Sequence, residues 1–161
     1  MDLSAVCAGC AGAMVLALVG GCQKPSAAPD YRVTIRGQAW HVELARNFDQ
    51  RYRGLADRPK LDSDKGMLFI FTQPQVLQFC MRQCLIPLDV AFLDGDRKVV
   101  KIHTMPVEPY GFDRLAYSSD WPAQYAVEVP AGALGRAGVK VGDKAELSAD
   151  ILVAAKAATD R

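Results

Sequence analysis

Three side chains that could support thiol chemistry alternate along one short stretch: Cys80, Arg82 and Cys84. In a regular strand, this spacing places all three on one face. A guanidinium beside a thiol stabilises the thiolate, which is the reactive form. With His103 as a base and Asp89 as its orienting carboxylate, the stretch would hold the residue types of a nucleophilic enzyme. Nothing in the spacing brings these side chains together, so an enzyme is the alternative hypothesis.

The two cysteines could instead form a disulfide. Four residues at ~3.3 Å separate their Cα atoms by about 13 Å on a straight strand, whereas a disulfide needs roughly 4.4–6.8 Å. A bridge between Cys80 and Cys84 therefore requires a bend after Met81, and two unpaired, partly buried cysteines are the simpler alternative. A zinc site built from these cysteines and His103 would lack a fourth ligand. We expect no metal and no cofactor.

Asp89 lies inside an otherwise apolar run, residues 85–93. A buried carboxylate must be paired or hydrogen-bonded, because an unpaired one costs several kcal/mol. Arg82 is the nearest candidate partner, and backbone N–H groups are the other option. Either would give Asp89 a structural role at the bend near Pro87. The functional alternative is a pocket carboxylate that binds a substrate or moves a proton.

Residues 110–121 form a long irregular segment that is rich in aromatic rings, hydroxyls and carboxylates. Ring faces flanked by polar groups suit small amphipathic ligands, and long loops on β scaffolds often carry binding sites. The alternative is that the rings close one end of the core. The candidate ligand-binding residues are Arg82, Asp89, His103, Tyr110, Tyr117, Ser118, Ser119 and Trp121.

The N-terminal segment indicates export. Residues 3–21 contain no charge and end in Val19-Gly20-Gly21-Cys22, which resembles the bacterial lipobox. There the cysteine thiol is diacylated and anchors the protein stably in the membrane. We therefore predict a leader at 1–21, lipidation of Cys22, a tether at 22–30, one domain at 31–150 and a tail at 151–161. A retained single span, an ordinary cleaved signal and an unexported chain are the alternatives.

Composition favours one ordinary globular domain. Half of the 161 residues are hydrophobic, and 19 Lys and Arg balance 18 Asp and Glu to a net charge of +1. This balance, without a basic stripe, excludes nucleic acid as an expected partner. We expect a monomer on the outer face of a bacterial membrane, with a small ligand or an envelope protein as its further partner.

Alternating apolar and polar residues predict a mainly β fold. We expect strands at 31–36, 40–44, 67–71, 76–81, 85–93, 98–105, 124–129 and 144–148. A short helix at 47–55 is capped by Asn47, and a second helix covers about 130–137. Short turns join most strands, which predicts an antiparallel sandwich or open barrel of about eight strands with two short helices. A two-layer α+β fold is the alternative.

Several residue strings occur together in an order that resembles one family, domain of unknown function 192. They are Arg53-Gly54-Leu55, Gly66-Met67-Leu68-Phe69, the run from Phe79 to Asp94, His103-Thr104-Met105, Tyr117-Ser118-Ser119, the run from Tyr125 to Gly132, and Val139-Lys140-Val141-Gly142-Asp143. The resemblance implies a compact, mainly β and often exported protein, and it implies no activity. Family members often have an aromatic residue at the position of Cys80 and Thr at that of Cys84, which argues against essential thiol chemistry.

Taken together, these patterns favour a non-enzymatic envelope module. It would bind a small ligand or a partner through the 110–121 segment and the Arg82/Asp89 end of the sheet. The alternative is an enzyme that uses Asp89 and His103, with Cys80 as a further participant.

Overall fold

The computed structural model describes residues 28–109 and 115–159, with side chains described to residue 156. The predicted leader, Cys22 and Tyr110 lie outside these residues. The described part contains nine strands and three helices. In chain order they are β1 (Arg32–Ile35), β2 (Gln38–Ala45), α1 (Phe48–Arg53), β3 (Lys65–Gln75), β4 (Gln78–Phe79), β5 (Leu88–Leu93), β6 (Val99–Met105), β7 (Tyr117–Ser118), β8 (Ala123–Pro130), α2 (Ala133–Arg136), β9 (Ala145–Leu147) and α3 (Ala149–Thr159).

Seven strands form one curled sheet in the order β6-β5-β8-β3-β2-β1-β9, and β4 pairs with β7 in a small second sheet. The two ends of the large sheet meet near β6 and β9. There the Val99 N–H donates to the Asp143 carbonyl, and the Gly142 N–H donates to the Val99 carbonyl, both at 2.8 Å. The predicted mainly β, open-barrel class is confirmed as a half-barrel. The β2–β3 pair is parallel, because the chain returns through α1 between these strands.

The inner face of the curl forms the first core, to which all seven strands contribute. Val33 and Ile35 of β1, Trp40 of β2 and Leu68 of β3 are among its fully buried side chains. The short α2 and the start of α3 cover the open side of this core with Leu134 and Ile151. Burial of side chains of this size contributes roughly 1.5–3 kcal/mol each, so this core holds the barrel together.

The outer face of the same sheet carries a second core. Phe69 of β3 and Phe92 of β5 lie on this face, and Phe79 of β4 packs edge-on against both rings, with ring centroids 4.8 and 5.2 Å apart. Leu55 and Met81 cover the cluster from the segments that follow α1 and β4. The chain therefore builds a layer outside the sheet, and this layer shapes the cavity described below.

Helix α1 begins as the sequence predicts. The Asn47 side chain accepts a hydrogen bond from the Gln50 N–H at 2.9 Å, and the Gln50 side chain accepts one from the Asn47 N–H at 3.3 Å. The helix ends earlier than predicted, at Gly54, whose positive φ of 51° suits a residue without Cβ. Phe48 and Tyr52 stack on each other yet remain 71% and 59% exposed.

Two predicted segments differ from the structure. The expected strand at 76–81 is reduced to the two residues of β4, because the chain leaves the large sheet to cover its outer face. The expected tail at 151–161 is instead largely helical, since α3 extends over Ala149–Thr159. Ile151 and Ala154 are buried against the barrel, and this burial adds to the helix propensity of an alanine-rich segment that we predicted as a tail.

Asp89 has a structural role, and of the two expected kinds of partner it is a backbone N–H, joined by a hydroxyl, that the structure provides. Its carboxylate accepts hydrogen bonds from the Thr104 hydroxyl at 2.8 Å and from the Leu134 N–H at 3.1 Å. Helix α2 has Gly132 at its N-cap and so lacks a capping side chain of its own. Asp89 supplies the missing acceptor from β5, and the expected pairing with Arg82 does not form.

We predict that Asp89→Ala lowers the free energy of unfolding by about 1–3 kcal/mol, because the substitution leaves a buried N–H and a hydroxyl without an acceptor. Urea denaturation followed by circular dichroism measures the change. Asp96→Ala, in the exposed turn after the same strand, is the matched control and should change stability by less than about 0.5 kcal/mol. Equal effects of the two substitutions would show that the capping contact contributes nothing.

Candidate functional site

The structure separates the residues of the predicted Arg82/Asp89 site. Arg82 donates to the Tyr52 carbonyl, and its guanidinium carbon lies 3.4 Å from the centroid of the Tyr52 ring. Asp89 is 2% exposed and bonded to Thr104 and Leu134. The bend near Pro87 therefore does not depend on an Arg82–Asp89 ion pair, and Asp89 lines neither of the two cavities described below.

His103 and Asp89 lie on opposite faces of the sheet. His103 is opposite Val90 in the β5–β6 register, whereas Asp89 is opposite Thr104. The His103 Nε2–H donates to the Ser118 carbonyl at 2.8 Å, which makes Nε2 the protonated nitrogen in the neutral ring. The structure therefore does not allow Asp89 to orient His103, as the enzyme hypothesis required.

The described part of the aromatic segment ties β7 to its neighbours. The Tyr117 ring lies edge-on to His103, and burial together with the nearby Glu108 carboxylate raises the pKa of its phenol. The Ser119 hydroxyl accepts from the Leu77 N–H and donates to the Trp121 carbonyl, at 2.9 and 2.7 Å. Trp121 is 66% exposed. Ser118 and Ser119 thus hold the loop together, and Trp121 presents a free ring.

The chain does bend between the two cysteines. The Cys84 N–H donates to the Met81 carbonyl, and Gln83 adopts a positive φ of 55° in this turn. Both thiols are free in the structure, and their pairing stays a prediction. Burial, and then the charges of Glu128 and Cys80, raise the pKa of Cys84 to about 11. The Cys84 thiol is therefore kept protonated, which is opposite to the activation that a nucleophile needs.

The main candidate site is a cavity of about 370 Å³ between α1, the turn at 81–84 and the outer face of the sheet; we call it the Glu128 cavity. It combines aromatic rings, three arginines, both cysteines and one acid. The side chains that line it include Phe48, Arg51, Tyr52, Arg53, Phe69, Phe71, Gln78, Phe79, Cys80, Arg82, Cys84 and Glu128.

Glu128 lines this cavity from the sheet side and is only 5% exposed. Its register neighbours are Met67 on β3 and Val90 on β5, so apolar residues flank it on both sides. Its carboxyl makes no hydrogen bond and no ion pair with any residue that the structure describes. Burial raises the pKa of Glu128 to about 8, because the charged form is poorly solvated there.

The three arginines of the cavity have no carboxylate partner within the described residues. Arg51 donates to the Arg46 and Ile70 carbonyls at 2.7 and 3.1 Å and lies over the Phe71 ring at 4.8 Å. Arg82 is held by Tyr52, as described above. Arg53 is exposed at the end of α1 and has no hydrogen bond to another side chain.

Gly66 explains why β8 lies so close to β3 at this point. A Cβ on Gly66 would collide with the Glu128 carbonyl and crowd the Val129 side chain. Gly66 and Glu128 both lie in strings that carry the family resemblance, but alternation on β8 reads Glu128 as an ordinary solvated or salt-bridged residue. The parts of the outer layer that line the Glu128 cavity are α1, β4 and the turn at 81–84, which lie more than 40 positions earlier in the chain.

A second cavity, of about 440 Å³, lies near the point where the predicted tether ends. Its charges are largely paired with one another. Arg58 binds both carboxylate oxygens of Glu43, at 2.5 and 2.7 Å, and this hydrogen bonding lowers the pKa of Glu43. His41 contacts Asp30 at 3.2 Å. The Glu128 cavity is therefore the stronger candidate, because its acid has no partner.

The described residues include neither a metal-binding cluster nor a membrane-spanning helix. They contain no group of three or more His, Cys, Asp or Glu side chains arranged to hold a metal ion. No helix among them combines the length and apolar character needed to cross a bilayer.

Comparison with known proteins places the chain among uncharacterised relatives. The sequence profile of DUF192, described as an uncharacterized ACR, matches residues 31–147. A UPF0127 protein of Thermococcus sibiricus is 28% identical over 113 residues, which cover 68% of each chain.

Two solved structures share the fold. One, from Sinorhizobium meliloti and assigned provisionally as a transcription regulator, is 31% identical with a TM-score of 0.66 and covers 74% of this chain and 94% of its own. The other, a protein of unknown function from Novosphingobium aromaticivorans, is 32% identical with a TM-score of 0.66 and covers 76% and 89%.

Four of the strings that carry the family resemblance contribute to the Glu128 cavity. They supply Arg53, Phe69, Phe79 with Arg82, and Glu128 itself. The family profile and the shared fold agree with that resemblance over nearly the whole described domain. The chain belongs to the DUF192 family.

Proposed function

We propose that this chain is an exported, lipid-anchored module whose domain binds a small ligand in the Glu128 cavity. The observation that carries the proposal is a buried carboxyl without a partner, facing a cavity of small-molecule size. Of the predicted pair Arg82 and Asp89, only Arg82 lines this cavity. The centre of the proposed site is therefore Glu128 and not Asp89.

A buried polar group without a hydrogen bond costs about 1–3 kcal/mol, and more when it is charged. A ligand that offers a donor to Glu128 would remove this cost, whereas no described protein group does so. Perturbed carboxyls in concave sites are candidates for function for this reason. The apolar rings around Glu128 would supply the remaining contacts.

Reversible binding fits the site better than catalysis. A raised pKa suits Glu128 to donate a proton, as a general acid does. However, the Cys84 thiol in the same cavity is not an activated nucleophile, since its pKa is raised rather than lowered. His103 lies outside the cavity and already bonds Ser118. The balanced charge of the chain gives no support to nucleic-acid binding.

We predict that a small amphipathic compound binds at one saturable site and shifts the amide resonances of Gly54, Phe69 and Phe79. Thermal-shift screening of phenyl-bearing amines, alcohols and acids, followed by NMR titration, would identify it. Gln78→Trp should weaken this binding at least tenfold, because the larger side chain enters the cavity mouth. Gln73→Trp, exposed on β3 and outside the cavity, should leave it unchanged.

The proposal fails if no compound in the panel binds saturably, or if the shifted resonances cluster around the second cavity. It also fails if both tryptophan variants bind like the parent protein.

We predict that Glu128→Gln changes how stability depends on pH. Between the ordinary pKa of 4.5 and the folded value of about 8, the unfolded chain releases the Glu128 proton while the folded chain retains it. The stability contributed by the protonated form is therefore full below about pH 4.5 and is lost as pH rises through 8. Relative to that of the parent protein, the free energy of unfolding of the Gln variant should rise by up to a few kcal/mol between pH 5 and pH 8.

Urea denaturation at several pH values measures this difference. Glu146→Gln, at an exposed position on β9, is the matched control and should show no such trend. Parallel pH profiles of the parent protein and the Glu128 variant would mean that Glu128 has a partner in solution.

The anchor is supported by the sequence and by the start of the described fold. The Asp30 N–H donates to the Asp150 carboxylate, and the Ser148 hydroxyl donates to the Asp30 carbonyl, at 2.8 and 2.7 Å. The domain thus begins at Asp30. Only a short Pro- and Ala-containing segment separates it from Cys22.

We predict that Cys22→Ala moves the protein from the membrane fraction to the soluble fraction of a bacterial host, because the acylated thiol is lost. Cys7→Ala, inside the same leader, is the matched control and should leave fractionation unchanged. Fractionation by ultracentrifugation, with mass spectrometry of the N-terminal peptide, measures both. A Cys22 variant that stays in the membrane would exclude the lipid anchor.

A further inference from the structure

On the basis of the proposed function, we infer that the Glu128 cavity takes organic amines, with an apolar body among the rings and a protonated nitrogen at Glu128. Three features of the cavity favour an amine: the unpartnered carboxyl, the aromatic walls and the contacts that already engage the arginines.

The carboxyl selects the head group of the ligand. An ammonium group offers both hydrogen-bond donors and the opposite charge, and a charge-assisted bond is about twice as strong as a neutral one. A carboxylate ligand would instead place two acids together, and one of them would have to stay protonated. A hydroxyl would satisfy the hydrogen bond but not the charge. An amine is thus the best partner for a buried, unbonded Glu128.

The aromatic walls favour the same head group. Cations are attracted to ring faces within about 6 Å, and more strongly where water is excluded. The cavity already shows this chemistry, because Arg82 lies over Tyr52 and Arg51 over Phe71. Phe48, Phe69 and Phe79 also line the cavity, and no guanidinium of a described residue lies over them. These rings can contact either the ammonium group or the apolar body of the ligand.

The arginines restrict the charge at the outer end of the ligand and not the choice of its head group. Arg51 and Arg82 already bond carbonyls and lie over ring faces. Arg53 is exposed, so salt screens its charge. A ligand with a second positive charge at its outer end would meet Arg53. We therefore expect one ammonium group, with a neutral or anionic outer end.

Protonation of Glu128 links this binding to pH. The other charged or titratable side chains around the cavity are Arg51, Tyr52, Arg53, Cys80, Arg82 and Cys84. The sheet neighbours Met67 and Val90 are apolar. Glu128 must lose its proton to pair with the ammonium group, so the affinity rises with pH until about 8 and then levels off.

Three compounds of matched shape test the inference: 2-phenylethylamine, 2-phenylethanol and 3-phenylpropionate. Their affinities at pH 8 would be measured by isothermal titration calorimetry on the full domain. The amine should bind at least tenfold more tightly than the alcohol or the acid. This preference should vanish in Glu128→Gln and persist in the exposed control Glu146→Gln.

The parent protein alone provides a second readout if the Gln variant does not fold. The amine stays protonated through this range, since aliphatic amines have a pKa of roughly 10. Its dissociation constant should fall about tenfold per pH unit between pH 6 and pH 7 and level off above 8. The affinity of the alcohol should be constant or fall slightly.

The possible outcomes distinguish the preference for amines from small-ligand binding itself. If the alcohol or the acid binds in this cavity as tightly as the amine, or if the affinity of the amine does not change with pH, the amine inference is wrong, while small-ligand binding stands. If none of the three binds, and the wider panel also yields no ligand, then both the inference and the proposed function fail.

Discussion

The register of β8 is the constraint on which the candidate site depends. This strand is paired on both sides, with β3 and with β5, so its residues cannot rotate independently. Val127 and Val129 point into the inner core, and Glu128 between them must therefore face outward. A one-residue slip would place the acid among the inner apolar side chains, which makes the alternative register costly. Gly66 allows the close approach of β3 that fixes this position.

The inner face of the sheet forms the main core, whereas the outer face forms one wall of the Glu128 cavity. The inner core gathers residues from all seven strands and closes the barrel, so it carries most of the stability. The outer layer consists of short pieces: α1, the turn at 81–84 and the β4–β7 pair. These pieces enclose the Glu128 cavity against a surface that the inner core already holds rigid. Substitutions in the outer layer can therefore alter the cavity without unfolding the barrel, a division that suits a binding module.

Local features were predictable from the sequence, whereas long-range burial was not. The Asn47 cap, the strand at 67–71 and the neighbouring strands at 85–93 and 98–105 follow from short-range patterns, and the structure has a helix start or a strand at each place. The burial of Asp89 was also foreseen, but its partner Leu134 lies 45 positions away and could not be identified. Glu128 was missed because alternation on β8 reads equally well as a strand with one exposed face. Only the outer layer, supplied by a distant part of the chain, shows that this face is covered.

The unpartnered Glu128 carboxyl affects both the free energy of unfolding and the affinity for a ligand. An apolar side chain of similar volume would pack against Met67 and Val90 without a solvation cost. Glu128 therefore weakens the empty protein increasingly as the pH rises from about 4.5 to about 8. A ligand that pairs with the ionised carboxyl offsets this cost, and part of the affinity would come from relieving it. The same linkage makes release possible without any movement of the fold, because acidification neutralises Glu128 and removes the attraction for an ammonium group. In the proposed location outside the cytoplasm, where pH is set by the surroundings, occupancy of the cavity would then follow the external pH.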